Sequence, residues 1–244
     1  MRQDKLITQT NPKSPVSEAF RTLRTNIQFS NIDKDIKTIV VTSSSPSEGK
    51  STIAANLANT IAQGEKKVLL IDCDLRKPRV HKVFGLSNLE GLTNVIVGEK
   101  KLSEVVHNSE ELKDLYIVSS GPIPPNPAEL LGSKRMKDFL DSIKEEYDMV
   151  ILDTPPIGLV TDSAVLSTIV DGTILVTAVG QTDVEVVKRA KELLEKVNAN
   201  IIGVILNKVP TEGRGYYKYH YYQYYNYSYY EEDDNKKGKK RRAK

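Results

Sequence analysis

The residues with the clearest chemical potential lie in the segment SSSPSEGKST, residues 43–52. A Gly-Lys-Ser turn between an apolar run and a helical stretch is the setting of a phosphate-binding loop. Backbone N–H groups and a helix N-terminus then converge on phosphate oxygens. Ser47, Glu48, Gly49, Lys50, Ser51 and Thr52 would form that loop. Lys50 would reach the β- and γ-phosphates of ATP, and Ser51 would supply an oxygen to Mg²⁺. Ser44 stands where the motif G-x-x-x-x-G-K-[ST] has its first glycine, so a serine-rich turn that merely caps a helix is the competing reading.

Three acids follow at spacings that bear on the same chemistry. VLLIDCDLRKP brings Asp72 and Asp74 to the end of one apolar run, and MVILDTPP brings Asp153 to the end of another. The carboxyl ends of parallel strands are where α/β folds bind ligands, and oxygen donors gathered there suit a hard cation. Taken singly, each Asp reads as a helix or turn cap. Asn207 closes the last apolar run, where a base-contacting side chain would lie; a strand-end turn accounts for it equally well.

The elements that must position these groups are short apolar runs at 38–43, 68–72, 115–120, 149–153, 173–178 and 201–207. Runs of that length, rich in Val and Ile, suit a parallel sheet buried on both faces. Helical patterns lie between them at 51–63, 133–146 and 182–197, and Ser14-Pro15 opens another at 14–29. In the pattern at 182–197 the apolar positions 184, 187, 190, 193, 194 and 197 share one helical face. The fold class is α/β, a mostly parallel central sheet with helices on both faces. The 244 residues divide into an N-terminal helical segment at 1–36, a nucleotide-binding domain at 37–215, a tyrosine cluster at 216–230 and a charged tail at 231–244.

Charge and cysteine usage exclude several functions. Residues 231–244 hold seven basic and four acidic residues, which leaves 28 of each sign in the rest of the chain and puts the whole excess of +3 in the tail. That is not the spread of positive charge a nucleic-acid-binding face needs, and no nucleic-acid partner is expected. Cys73 is the only cysteine, which removes disulfide frameworks and multi-cysteine metal sites within one chain. No apolar run approaches about 18 residues, and the expected location is the cytoplasm.

Ten of the twelve tyrosines are Tyr216, Tyr217, Tyr219, Tyr221, Tyr222, Tyr224, Tyr225, Tyr227, Tyr229 and Tyr230. With no aliphatic residues among them they cannot build a core strand. A low-complexity segment or an RNA-stacking tail are the bland readings. A string of phenols joined to an ATP site reads more simply as a kinase substrate carried on its own chain.

Together SSSPSEGKST, VLLIDCDLRKPRVH, MVILDTPP, SSGPIPPNPAELL and the tyrosine cluster resemble the bacterial protein-tyrosine kinases, in the form separate from its membrane anchor. The E-x-x-R-x-x-R pattern of Glu18, Arg21 and Arg24 belongs to the same resemblance. Spacing alone makes those three an ordinary solvated helix face; the resemblance makes them an oligomer interface. It further implies a P-loop fold, Mg-ATP chemistry and autophosphorylation of the cluster in trans. Catalysis would rest on Lys50, Asp72, Asp74 and Asp153. Ser51, Asp74 and Asp153 would hold Mg²⁺, and Asp72 would serve as the base for the phenol or as a second metal-ordering carboxylate. The implied partners are further copies in a ring, a transmembrane activator that recruits the kinase to the membrane, and protein substrates such as polysaccharide-synthesis enzymes. The implied role is control of capsular or exopolysaccharide export. Sorting ATPases of partition and cell-division sites share the fold and are the alternative, but their extra P-loop lysine would fall at Ser45.

Overall fold

The computed structural model describes residues 6–30, 35–109 and 112–210. The chain enters through α1 (Ile7–Thr10) and α2 (Pro15–Phe29), then β1 (Thr38–Ser43), α3 (Lys50–Ala62) and β2 (Val68–Asp72). Four short helices and two strands follow: α4 (Val80–Phe84), α5 (Leu92–Val97), α6 (Leu102–Val105), β3 (Val106–Asn108), β4 (Leu115–Val118) and α7 (Pro127–Leu131). The domain is completed by α8 (Lys134–Ile143), β5 (Met149–Asp153), α9 (Asp162–Ser167), β6 (Gly172–Ala178), α10 (Val184–Lys196) and β7 (Ile201–Asn207).

The strands form one sheet in the order β3-β4-β2-β5-β1-β6-β7, parallel throughout except for β3 against β4. Alternation along each central strand sends successive side chains to opposite cores. Ile39, Val41, Leu70 and Ile151 pack with Phe20, Leu57 and Ile61 on one face, while Val40, Leu69, Ile71 and Leu152 pack with Leu92, Met136 and Leu140 on the other. Burying such a side chain contributes roughly 1.5–3 kcal/mol, which is why the middles of β1, β2 and β6, strands covered from end to end, are apolar.

The six expected strands are present, the third apolar run ending at Val118 rather than Ser120. β7 departs from the expectation of burial on both faces: Val204 and Leu206 are each 49% exposed, because this strand is the sheet edge. β3 was not legible, since three residues of mixed polarity carry no periodic signal. Ser14 caps α2 by accepting the Ser17 N–H, as the Ser-Pro start predicts. On α10 only part of the expected face is covered: Ala190 and Leu194 are buried, and Val184 is exposed. The N-terminal segment is not set apart, for residues through Asn207 make one compact unit. The last residues assigned to the nucleotide-binding domain, 211–215, and all of the tyrosine cluster and charged tail lie outside the described residues.

Candidate active site

β1 ends at Ser43 and α3 begins at Lys50, so the loop between them caps the helix with its own backbone. Gly49 has φ +95°, a region that disfavours any side chain, and a Cβ there would stand 2.2 Å from the Asn207 amide nitrogen. Asn207 donates from that nitrogen to the Glu48 carbonyl at 2.8 Å, so β7 braces the loop. The Glu48 side chain, placed by sequence among the nucleotide-binding groups, turns away from the loop mouth and is 2% exposed.

Lys50 folds onto the acids. Its Nζ donates to Asp74 Oδ2 at 2.9 Å, and lies 3.3 Å from both Asp153 Oδ1 and the Ser51 hydroxyl. Burial works to lower the Lys50 ammonium, but Asp153 and Asp74 outweigh it and hold it above its ordinary value. Asp72 and Asp153 stand opposite each other in the β2–β5 register, each at the last position of its strand. Both are wholly buried. Burial, and then Asp153, push the Asp72 carboxyl up to about 8. Burial also raises Asp153, against the opposing pull of Lys50 and Ser51.

Asp72 is less available than a general base should be. Its Oδ1 accepts the Asp74 N–H at 3.1 Å, and its Oδ2 accepts the Arg79 and Val80 N–H groups at 2.9 Å each. These bonds fold residues 72–80 into the loop that presents Asp74. Cys73, between the two acids, is buried and its thiol is raised well above the usual range by burial and by Asp72, leaving it inert.

Asp153 Oδ2 is buried without a hydrogen-bond partner among the described residues. That orphan oxygen, the Ser51 hydroxyl and the Asp74 carboxylate form a set of hard oxygen donors that fits Mg²⁺. Among the described residues no group of three His, Cys, Asp or Glu side chains could hold a metal by itself. This agrees with the habit of Mg²⁺ of taking one or two carboxylates and filling its other positions from phosphate and water.

Sequence reasoning missed Asp162. It is fully buried in the first turn of α9, and Arg76 forks onto it with Nε to Oδ2 and Nη2 to Oδ1, both at 2.9 Å. The Arg76 side chain, partly exposed, ties the Asp72–Val80 loop to the helix after Asp153. The signal was only Thr161-Asp162 ahead of an apolar stretch, which reads as a helix start. Arg24 departs from the solvated face expected of it: it crosses to donate to the Thr60 carbonyl at 3.0 Å, near the C-terminal end of α3. Arg21 and Glu18 do pair at the surface, at 2.6 Å.

A glycine-bearing loop between strand and helix, with acids at the ends of the two strands β2 and β5, defines a P-loop nucleotide-binding domain, and residues 36–205 match the AAA domain family. The chain is 48% identical over 218 residues to the tyrosine-protein kinase YwqD of Bacillus subtilis, covering 89% of this chain and 92% of that one. The solved kinase domain of the Escherichia coli tyrosine kinase ETK superposes with a TM-score of 0.80 at 34% identity, over 85% of this chain and 82% of that one. The septum site-determining protein MinD of Pyrococcus horikoshii, complexed with Mg-ADP, shares the fold at a TM-score of 0.61 and 24% identity, over 73% of this chain and 72% of that one. The chain belongs to the bacterial tyrosine-protein kinases and is itself such an enzyme. The likeness to the cell-division ATPase extends to fold alone. Among the described residues no helix is long and apolar enough to cross a membrane.

Proposed function

We propose that this kinase transfers the γ-phosphoryl group of Mg-ATP to tyrosines of its own C-terminal cluster, one copy acting on another. The phenol oxygen attacks the γ-phosphorus, the bond to the β-bridging oxygen breaks, ADP departs, and the phenolic proton leaves to a base or to water. Bound Mg²⁺ would supply positive charge that neutralises the phosphates. Ser51, Asp74 and Asp153 would hold it. Lys50 would exchange carboxylate for phosphate, and the backbone from Ser47 to Thr52 would cradle the phosphates, with Asn207 bracing the loop at the base side. The three backbone N–H groups on Asp72 favour its role as an organiser of the Asp74 loop over that of base.

The observation that carries this reading is one buried ammonium among three strand-end and loop carboxylates beside the P-loop, in a chain with ten clustered phenols. Residues 208–230 can extend on the order of 70 Å, enough to reach another copy. By resemblance the copies close into a ring through the Glu18, Arg21 and Arg24 helix, a transmembrane activator recruits the ring to the membrane, and the enzyme governs capsular or exopolysaccharide synthesis and export. Each phosphotyrosine adds about −1.5 to −2 charges, and repulsion from the acidic site would expel the modified tail.

Purified chain given Mg-ATP should gain mass in phosphate steps on peptides from 216–230. A Lys50→Met chain, which keeps its tyrosines, should be labelled when mixed with an active chain truncated after Gly215. No label on the inactive chain, while the intact enzyme labels itself, would make the reaction intramolecular. Light scattering should show the Arg21→Ala chain as smaller assemblies than the unphosphorylated wild type. Arg21 suits this test because Arg24 is engaged with α3.

A further inference from the structure

Glu48 is the carboxylate of the phosphate loop, and phosphate chemistry gives no reason for an anion there. Its two oxygens accept the Ser44 hydroxyl at 2.9 and 2.8 Å. Oε2 also accepts the Ser45 N–H at 2.6 Å. Oε1 accepts the Thr177 hydroxyl at 3.2 Å, the Ala178 N–H at 3.3 Å and the Thr182 hydroxyl. All of these partners are neutral donors. They come from two segments far apart in the chain: the start of the phosphate loop, and the end of β6 with the turn that leads to α10.

We propose that Glu48 is a positioning residue that locks the P-loop in its phosphate-binding curvature, and that Ser44 is its dedicated partner. The departure from the glycine of the motif then has a cause, since a glycine at 44 would remove a donor that reaches both carboxylate oxygens. Ser45 has its N–H spent on the same carboxylate, which sets the start of the phosphate cradle beyond it. A loop held in this way before nucleotide arrives loses less freedom on binding, and its affinity rises accordingly. The inference rests on the nucleotide-binding part of the proposed function and is independent of the tyrosine acceptor.

The experiment is a double-mutant cycle on the full chain, reading affinity for Mg-ADP by calorimetry together with the melting temperature of the nucleotide-free protein. Ser44→Gly and Thr182→Val should each weaken Mg-ADP roughly tenfold in the Glu48 chain, because hydrogen bonds to a buried charge are worth more than neutral ones. Neither should change affinity by more than about twofold once Glu48→Ala has removed the shared acceptor. Glu48→Gln provides a second background that keeps side-chain volume while placing an amide donor against donors. Equal losses in the presence and absence of the carboxylate would overturn the proposal. So would unchanged affinity with a lowered melting temperature, the mark of a purely structural role. A wild-type chain that binds no Mg-ADP would overturn the nucleotide-site reading, and this inference with it.

Discussion

Glu48 and the Asp72, Asp74, Asp153 group are buried carboxylates at the same end of the sheet, in opposite surroundings. Glu48 is surrounded by hydroxyl and N–H donors, and its oxygens are satisfied. The three aspartates crowd one ammonium, burial and a neighbouring carboxylate raise Asp72 and Asp153, and a buried oxygen is left unpartnered. A satisfied buried acid belongs to the scaffold. A crowded and unsatisfied one is destabilising until something positive arrives, and that marks a site built for its ligand.

The largest expected effect breaks the crowded half. Lys50→Met and Asp153→Asn should each lower tyrosine phosphorylation by roughly three orders of magnitude or more, measured by radiolabel transfer. Their effects on the nucleotide-free fold should be opposite in sign. Lys50→Met removes the compensating cation and should lower the melting temperature, whereas Asp153→Asn keeps an acceptor for Lys50, relieves like-charge crowding and should raise it. A destabilised Asp153→Asn chain would show that the aspartates are as well accommodated as Glu48.

Next in size is the fork between Arg76 and Asp162. Arg76→Met leaves a wholly buried carboxylate without its guanidinium and should cost about 2 kcal/mol, below the roughly 3–5 kcal/mol of a fully buried pair because Arg76 is 40% exposed. Arg76→Met combined with Asp162→Leu should recover most of that loss in urea unfolding, since the stranded charge is gone. Additive losses would mean that packing, and not charge, gives this pair its value.

How much of this was legible beforehand divides along the same line. The P-loop, the three aspartates and the six longer strands were readable, because a phosphate loop needs Gly-Lys-Ser and a buried strand needs an apolar run. β3 was not, being three residues placed by pairing with β4 rather than by pattern. The partners of Glu48 lie up to 134 positions away, and Asp162 is 86 positions from Arg76. No local spacing encodes such contacts. Arg24 illustrates the limit within a readable motif: the i, i+3 rule places it beside Arg21 on α2 but says nothing of the Thr60 carbonyl across the helix interface.

The smallest effect sharpens the comparison through pH. Asp171 lies at the opposite end of the sheet from the crowded acids and, like Glu48, is well supplied with donors. Its Oδ2 accepts the Lys37 and Thr38 N–H groups and the Thr38 hydroxyl, and Lys144 lies 3.4 Å from Oδ1. Burial works to raise it, but the Thr38 bonds and Lys144 prevail and hold it below its ordinary value. A carboxyl depressed in the fold stabilises fully above its unfolded range near about 4 and loses that contribution as pH falls through its folded value. Asp171→Asn should therefore cost about 1 kcal/mol between pH 6 and 8, with the gap to wild type closing in acid. Asp72 has the other sign. Raised to about 8, it keeps a proton in the fold that the unfolded chain gives up above about 4, so rising pH between those values favours unfolding. Melting temperatures of the nucleotide-free wild type should thus drift down from pH 6 to 8, and Asp153→Asn should flatten that drift by removing the neighbour that raises Asp72. A wild-type profile flat over that range, with an undiminished Asp171→Asn gap in acid, would erase the physical distinction between the well-supplied acids and the crowded ones.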